Sequence, residues 1–160
     1  MIDFLLGLFE QGLKDAEKLV EDVDDARMAE QPAGIRNHPA WTLGHLVTAA
    51  SFVTILQGEQ PPALPESYQK LFPPGTQPTG NRADYPSKQE LLAHLRAQHA
   101  RAAEVTRARH ATSFNQPSPE NLRRLAPTVG AIVAYLLAAH EQNHVGQLIA
   151  WRRAAGYAKA

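Results

Sequence analysis

Apolar residues stand at Ile2, Leu5, Leu6, Phe9, Leu13, Ala16, Leu19, Val20 and Val23 in the first part of the chain. Gaps of three and four are the period of an amphipathic helix, because side chains so spaced share one face. The pattern predicts a helix within residues 1–29, ended by Gln31-Pro32. The acidic run Glu21, Asp22, Asp24 and Asp25 then falls near the helix C-terminus, where the dipole disfavours anions. Either the helix breaks early or basic residues lie opposite.

A second helix is predicted after Asn37, a good N-cap residue, with Pro39 tolerated in the first turn. It runs through WTLGHLVTAASFVTILQ to Gly58, a plausible C-terminal cap. Trp41, Leu43, Leu46, Val47, Phe52, Val53, Ile55 and Leu56 lie almost all round it, the mark of a helix buried on more than one side. Residues 58–86 then carry seven of the twelve prolines and three of the ten glycines and read as a long loop. Ser87-Lys88-Gln89-Glu90 is a capping box that opens a third helix, with Leu91, Leu92, Leu95, Ala102 and Val105 as its inward stripe. Residues 111–127 form a second connection. A fourth helix starts at Thr128 and ends at Gly156, with Arg152 and Arg153 in its last turn, where cations suit the dipole.

No segment alternates as a strand does. Four helical patterns with two long crossings predict an all-α four-helix bundle, formed as a single domain over residues 1–160.

Composition narrows the function classes. Sixteen basic and sixteen acidic residues give a formal net charge of zero, which argues against a nucleic-acid binder and against a polybasic membrane-surface module. There is no cysteine, so any metal must be held by His, Asp or Glu, and any thiol must come from outside. The amino terminus lacks a basic region ahead of its apolar stretch, and the longest apolar run, 129–139, is too short to span a bilayer. We read a cytoplasmic protein.

Of the seven histidines, His140 and His144 are four apart and project from one helix face on adjacent turns. Two imidazoles so placed can converge on one ion. The stretch HEQNH matches the HExxH pattern of zinc proteases, but residues 145–160 hold no His, Asp or Glu to serve as a downstream third ligand. The third ligand must lie upstream, and His45, in the middle of the apolar helix WTLGHLV, is the best candidate. Three histidines leave positions open on a metal for water or substrate. His38 is expected on the surface in the first turn of its helix, His99 inward, and His94 and His110 in solvent. Trp41, Thr48, Gln147 and Trp151 share the histidine faces and are pocket candidates. Glu141 either faces solvent or reaches a metal-activated water as the base of a hydrolytic reaction.

At these residues the sequence resembles the DinB-like superfamily, also described as YfiT-like metal-dependent hydrolases. The resembling motifs are HPAWTLGHL at 38–46 and HEQNHVGQLIAWRRAAG at 140–156, with YPSKQELLAHL between them, and the likeness extends over essentially the whole chain. The resemblance implies an up-up-down-down four-helix bundle that binds one divalent metal, zinc or nickel, through three histidines, here His45, His140 and His144. Characterised relatives include S-transferases that use low-molecular-weight thiols. The expected function is therefore a metal-dependent hydrolase or thiol-dependent S-transferase acting on a small molecule. The alternative is a non-catalytic, stress-associated bundle that binds a metal or small molecule. A homodimer is expected, built on the outward faces of helices two and four, unless the 58–86 loop folds back over that apolar surface.

Overall fold

A computed structural model describes residues 1–157. Among these residues all regular structure is helical, and the only strand-like pairing is one isolated bridge between Pro117 and Thr128.

Helix α1, Ile2–Val20, buries Leu6, Phe9, Ala16, Leu19 and Val20 of the predicted stripe but stops well short of Gln31-Pro32. The acidic run explains why, and both expected remedies operate. The helix breaks at Val20, and Asp24 caps a separate short turn at Asp25–Arg27. Basic groups from distant parts of the chain then take the acids. Arg152 pairs with Asp22, while Arg82 meets Asp25 at 2.8 Å. Lys88 Nζ donates to the carbonyls of Val20, Glu21 and Val23 at 3.1, 3.1 and 2.6 Å, filling the C-terminus of α1 with a cation.

Helix α2, Pro39–Leu56, is buried without a break from Pro39 to Val47, as its all-round apolarity predicted. Its N-cap is His38 rather than Asn37, with the ring Nδ1 accepting from the Trp41 backbone N–H at 3.2 Å. The helix ends before Gly58, whose φ of +79° suits a residue without a Cβ.

Residues 58–86 form a strap across α2 that contains the short helix α3, Tyr68–Leu71, and a turn at Arg82–Asp84. The Phe72 ring lies where a Cβ on Gly44 would stand, so this close approach requires glycine. Trp41 Nε1 donates to the Leu71 carbonyl at 3.1 Å and the Thr76 hydroxyl at 2.9 Å. The strap thus covers part of the apolar surface expected to need a partner.

Helix α4, Lys88–Ala108, opens with the predicted capping box. A second crossing with short turns at Ala111–Asn115 and Glu120–Leu122 leads to the last rod. That rod starts at its Thr128 cap and ends before Gly156, as the sequence indicates. It has three parts: helix α5, Val129–Ala134; a π-helical stretch, Tyr135–His140; and helix α6, Glu141–Ala154. The π stretch has no counterpart in the sequence reading.

Helices α1 and α2 each pack on α4 and on α6. The segment 32–56 is long and apolar enough to cross a membrane by composition, yet 72% of its most apolar window is buried inside the fold, as in a core helix. Two apolar clusters form the core. One holds Ala16, Leu19, Leu46, Leu91, Leu95, Val145, Leu148 and Trp151, the other Leu6, Phe9, Val53, Ala102, Ile132, Val133 and Leu137. Between them along α1, α4 and the last rod fall Gly12, Gln98, His99, His140, Glu141 and His144. The interior therefore has a polar belt at mid-height.

Candidate metal centre

Three histidines meet in this belt. His45 comes from the middle of α2, His140 ends the π stretch and His144 lies in the first turn of α6. One ring nitrogen from each lies within 4.8 Å of the others. The Nε2 atoms of His45 and His140 are 3.1 Å apart, and the ring centroids are 4.6 to 5.1 Å apart. No carboxylate among the described residues joins the group.

The outward ring nitrogens are held unequally. His45 Nδ1 donates to the Phe72 carbonyl at 2.8 Å. A carbonyl can only accept, so the proton is on Nδ1 and the Nε2 lone pair faces the cluster. His144 Nδ1 lies 3.0 Å from Gln147 Oε1. His140 Nδ1 is buried without a partner. Trp41 stacks on His45 at 4.8 Å between centroids with the planes 8° apart, which fixes the ring plane.

Burial lowers the pKa of His45, against the pull of the Phe72 carbonyl. Burial, with the neighbouring imidazoles adding to it, holds His140 at about 4 and His144 at about 3. All three rings are therefore neutral near neutral pH, the form that ligates a metal. The donor set, three neutral imidazoles each offering one ring nitrogen within 4.8 Å of the others, fits a borderline divalent ion such as zinc or nickel.

A model of the DinB superfamily matches residues 8–148, a span that takes in all three histidines. The chain belongs to the DinB superfamily. A search of curated proteins finds no match.

The other candidate residues of this DinB-superfamily chain fall in varied places. Glu141 is 1% exposed, so it does not face solvent. Its side chain packs where a Cβ on Gly12 would stand, and its carboxylate lies 3.2 Å from His99 Nε2, apart from the three-histidine group. His99 points inward as expected and stacks on Phe9 at 3.8 Å. His38, expected at the surface, is fully buried, because the strap closes over it and its Nε2 donates to the Thr79 carbonyl at 3.0 Å. His94, expected in solvent, is half-buried against the Tyr68 ring, whereas His110 is exposed. Thr48 donates to the His45 carbonyl, and Trp151 is a core residue whose indole N–H donates to the Glu30 carbonyl. Tyr135 is a site neighbour that the sequence reading missed. Its ring sits 5.9 Å from His140, at i and i+5, a spacing brought together by the π stretch.

Proposed function

We propose that this protein is a cytoplasmic, divalent-metal-dependent enzyme in which His45, His140 and His144 hold one zinc or nickel ion and a small molecule is the substrate. The observation that carries the reading is the meeting of three neutral imidazoles, two buried and His140 half-buried, from α2 and the last rod, one ring nitrogen of each within 4.8 Å of the others. Such an ion supplies Lewis acidity toward a water or a thiol in its open positions. The chain's own contribution is to keep the imidazoles neutral by burial and to fix the His45 ring between Trp41 and the Phe72 carbonyl.

Of the two chemistries, transfer of a low-molecular-weight thiol fits better than hydrolysis. Glu141, the candidate base for hydrolysis, has its carboxylate against His99. A thiol needs less help, since its ordinary pKa is about 8.5 against about 15.7 for water. The chain has no cysteine, so the thiol is a cosubstrate. The same reading takes an up-up-down-down order for the four long rods and a homodimer that covers Ile55, 52% exposed, and Tyr135, 38% exposed. Sedimentation at micromolar concentration tests the dimer, and a 17.5 kDa species refutes it.

Metal analysis of tag-free protein, then a screen pairing small thiols with a soluble electrophile and with simple esters, tests the activity. Thiol consumption that stops on chelation and returns with zinc or nickel supports the reading. A metal-loaded protein inert to thiols and esters overturns it in favour of a non-catalytic metal-binding bundle. Protein that takes up no metal overturns both.

A further inference from the structure

The three imidazoles differ in what sets the position of their single proton. For His45 a backbone carbonyl, that of Phe72, decides. For His144 the partner is a primary amide, which can face a ring nitrogen with either its oxygen or its NH2 group. If the oxygen faces His144, Nδ1 carries the proton and the Nε2 lone pair is free to ligate. If the NH2 group faces it, Nδ1 is bare, and the proton moves to Nε2 and closes that nitrogen to a metal.

A second residue meets the same oxygen. Gln147 lies three positions after His144 on the same face of α6, which brings its Oε1 to 3.0 Å from His144 Nδ1. The same oxygen accepts from Asn37 Nδ2 at 3.0 Å. Asn37 precedes α2 and is 110 residues away in sequence, so this contact joins the His45-bearing helix to the His144-bearing helix outside the ligand group. With an N–H donor from Asn37 on one side, the amide of Gln147 presents oxygen to both neighbours. Both residues are half-buried, where competition from water is reduced.

We propose that Gln147, oriented by Asn37, is a positioning residue that fixes the Nδ1–H tautomer of His144 and so makes its Nε2 the ligating atom. The tautomer follows from this geometry. Its consequence for metal affinity rests on the proposed function above.

The test uses the full chain in two arms. In the metal-free protein, long-range proton–nitrogen NMR reads the imidazole tautomers. Wild type is expected to show His144 protonated at Nδ1 and bare at Nε2, and Gln147→Leu to show a mixture. In the second arm Co2+ is titrated, with affinity and visible absorption as readouts. Gln147→Leu is expected to weaken Co2+ binding by about 10- to 100-fold and to alter the absorption bands. Gln147→Glu, whose carboxylate can only accept, is expected to keep the wild-type tautomer and bind Co2+ at least as tightly. Asn37→Leu is expected to lie between wild type and Gln147→Leu.

A Gln147→Leu protein with the wild-type tautomer and unchanged Co2+ affinity overturns the proposal. If that variant does not fold, Gln147→Glu decides: a shifted tautomer or weaker binding overturns it. A wild-type protein that binds no Co2+ yet shows the tautomer change in Gln147→Leu supports the positioning role and refutes the metal reading, so the two failures are distinguishable.

Discussion

His38 makes the stability of this protein depend on acid through one identifiable proton. Its ring is fully buried at the start of α2, with Nδ1 accepting from the Trp41 N–H and Nε2 donating to the Thr79 carbonyl. The neutral Nε2–H tautomer satisfies both contacts. A second proton would stand on Nδ1 and face the Trp41 N–H, removing the helix cap. Burial holds the pKa at about 4, against the pull of the Thr79 and Met28 carbonyls, whereas an unfolded histidine titrates near about 6.5. Because the folded pKa is the lower one, the unfolded chain binds the proton first. The contribution is complete above about pH 6.5 and is lost as the pH falls from there through about 4.

Between about pH 7 and about pH 4.5 this single linkage removes about 2 kcal/mol. The check compares urea unfolding of wild type and His38→Asn at both pH values, with chelator present so that metal linkage is absent. Asparagine caps a helix through an oxygen that does not titrate, so the variant keeps the cap and loses the proton. Losing the Thr79 bond costs the variant about 1 kcal/mol at every pH, an offset that cancels in the difference. The lowered pKa values of His45, His140 and His144 are common to both proteins and cancel too. The expected result is that wild type loses about 2 kcal/mol more than His38→Asn on acidification. Equal losses would refute the assignment of this proton to His38.

Other contacts set four further outcomes. Alanine at His45, His140 or His144 is expected to cut metal content sharply on equilibrium dialysis, and His140→Ala to lower the melting temperature more with metal than with chelator, because ligation energy adds to folding. Full occupancy in all three variants would place the site elsewhere. Gly44→Ala is expected to cost about 1 to 3 kcal/mol in denaturant unfolding, since its Cβ meets the Phe72 ring, and also to weaken Co2+ binding, because the Phe72 carbonyl holds His45. Glu141→Gln is expected to leave Co2+ binding unchanged while lowering the melting temperature, as its carboxylate lies against His99; a lost metal site with an unchanged melt would contradict that placement.

Much of the fold is legible where a local signal is also the physical cause. The Ser87 capping box, the Thr128 cap and the glycines at 58 and 156 mark helix ends because those residues satisfy, or geometrically permit, the ends themselves. The end of α1 is different. Its acidic run signals a conflict, but the groups that resolve it, Arg82, Lys88 and Arg152, arrive from two other helices and the strap. Whether the helix shortens or is neutralised in place depends on contacts with no periodic trace, and here both occur. The π stretch is equally silent, since its sequence, YLLAAH, differs in no obvious way from an ordinary apolar helix turn.

The site divides along the same line. His140 and His144 announce themselves because their spacing and their positions on one face are the same fact, and His45 does so because an imidazole amid apolar residues needs a partner. Glu141 is ambiguous from spacing alone. Its neighbour His140 closes the π stretch, and an extra residue in one turn rotates every later turn, so counting at 3.6 residues per turn across it cannot aim the next side chain. The structure turns the carboxylate toward Gly12 and His99, where small size on α1 and a ring on α4 make room for it. The sequence misleads at His38 and Asn37 for a related reason. Each looks like an ordinary helix-start residue, yet one is sealed by Thr79 of the strap and the other reaches Gln147 of α6. The candidate ligands of this centre are thus written in helix periodicity, whereas the groups that orient them are supplied by chain crossings. That is why the ligand positions can be read one helix at a time and their proton positions cannot.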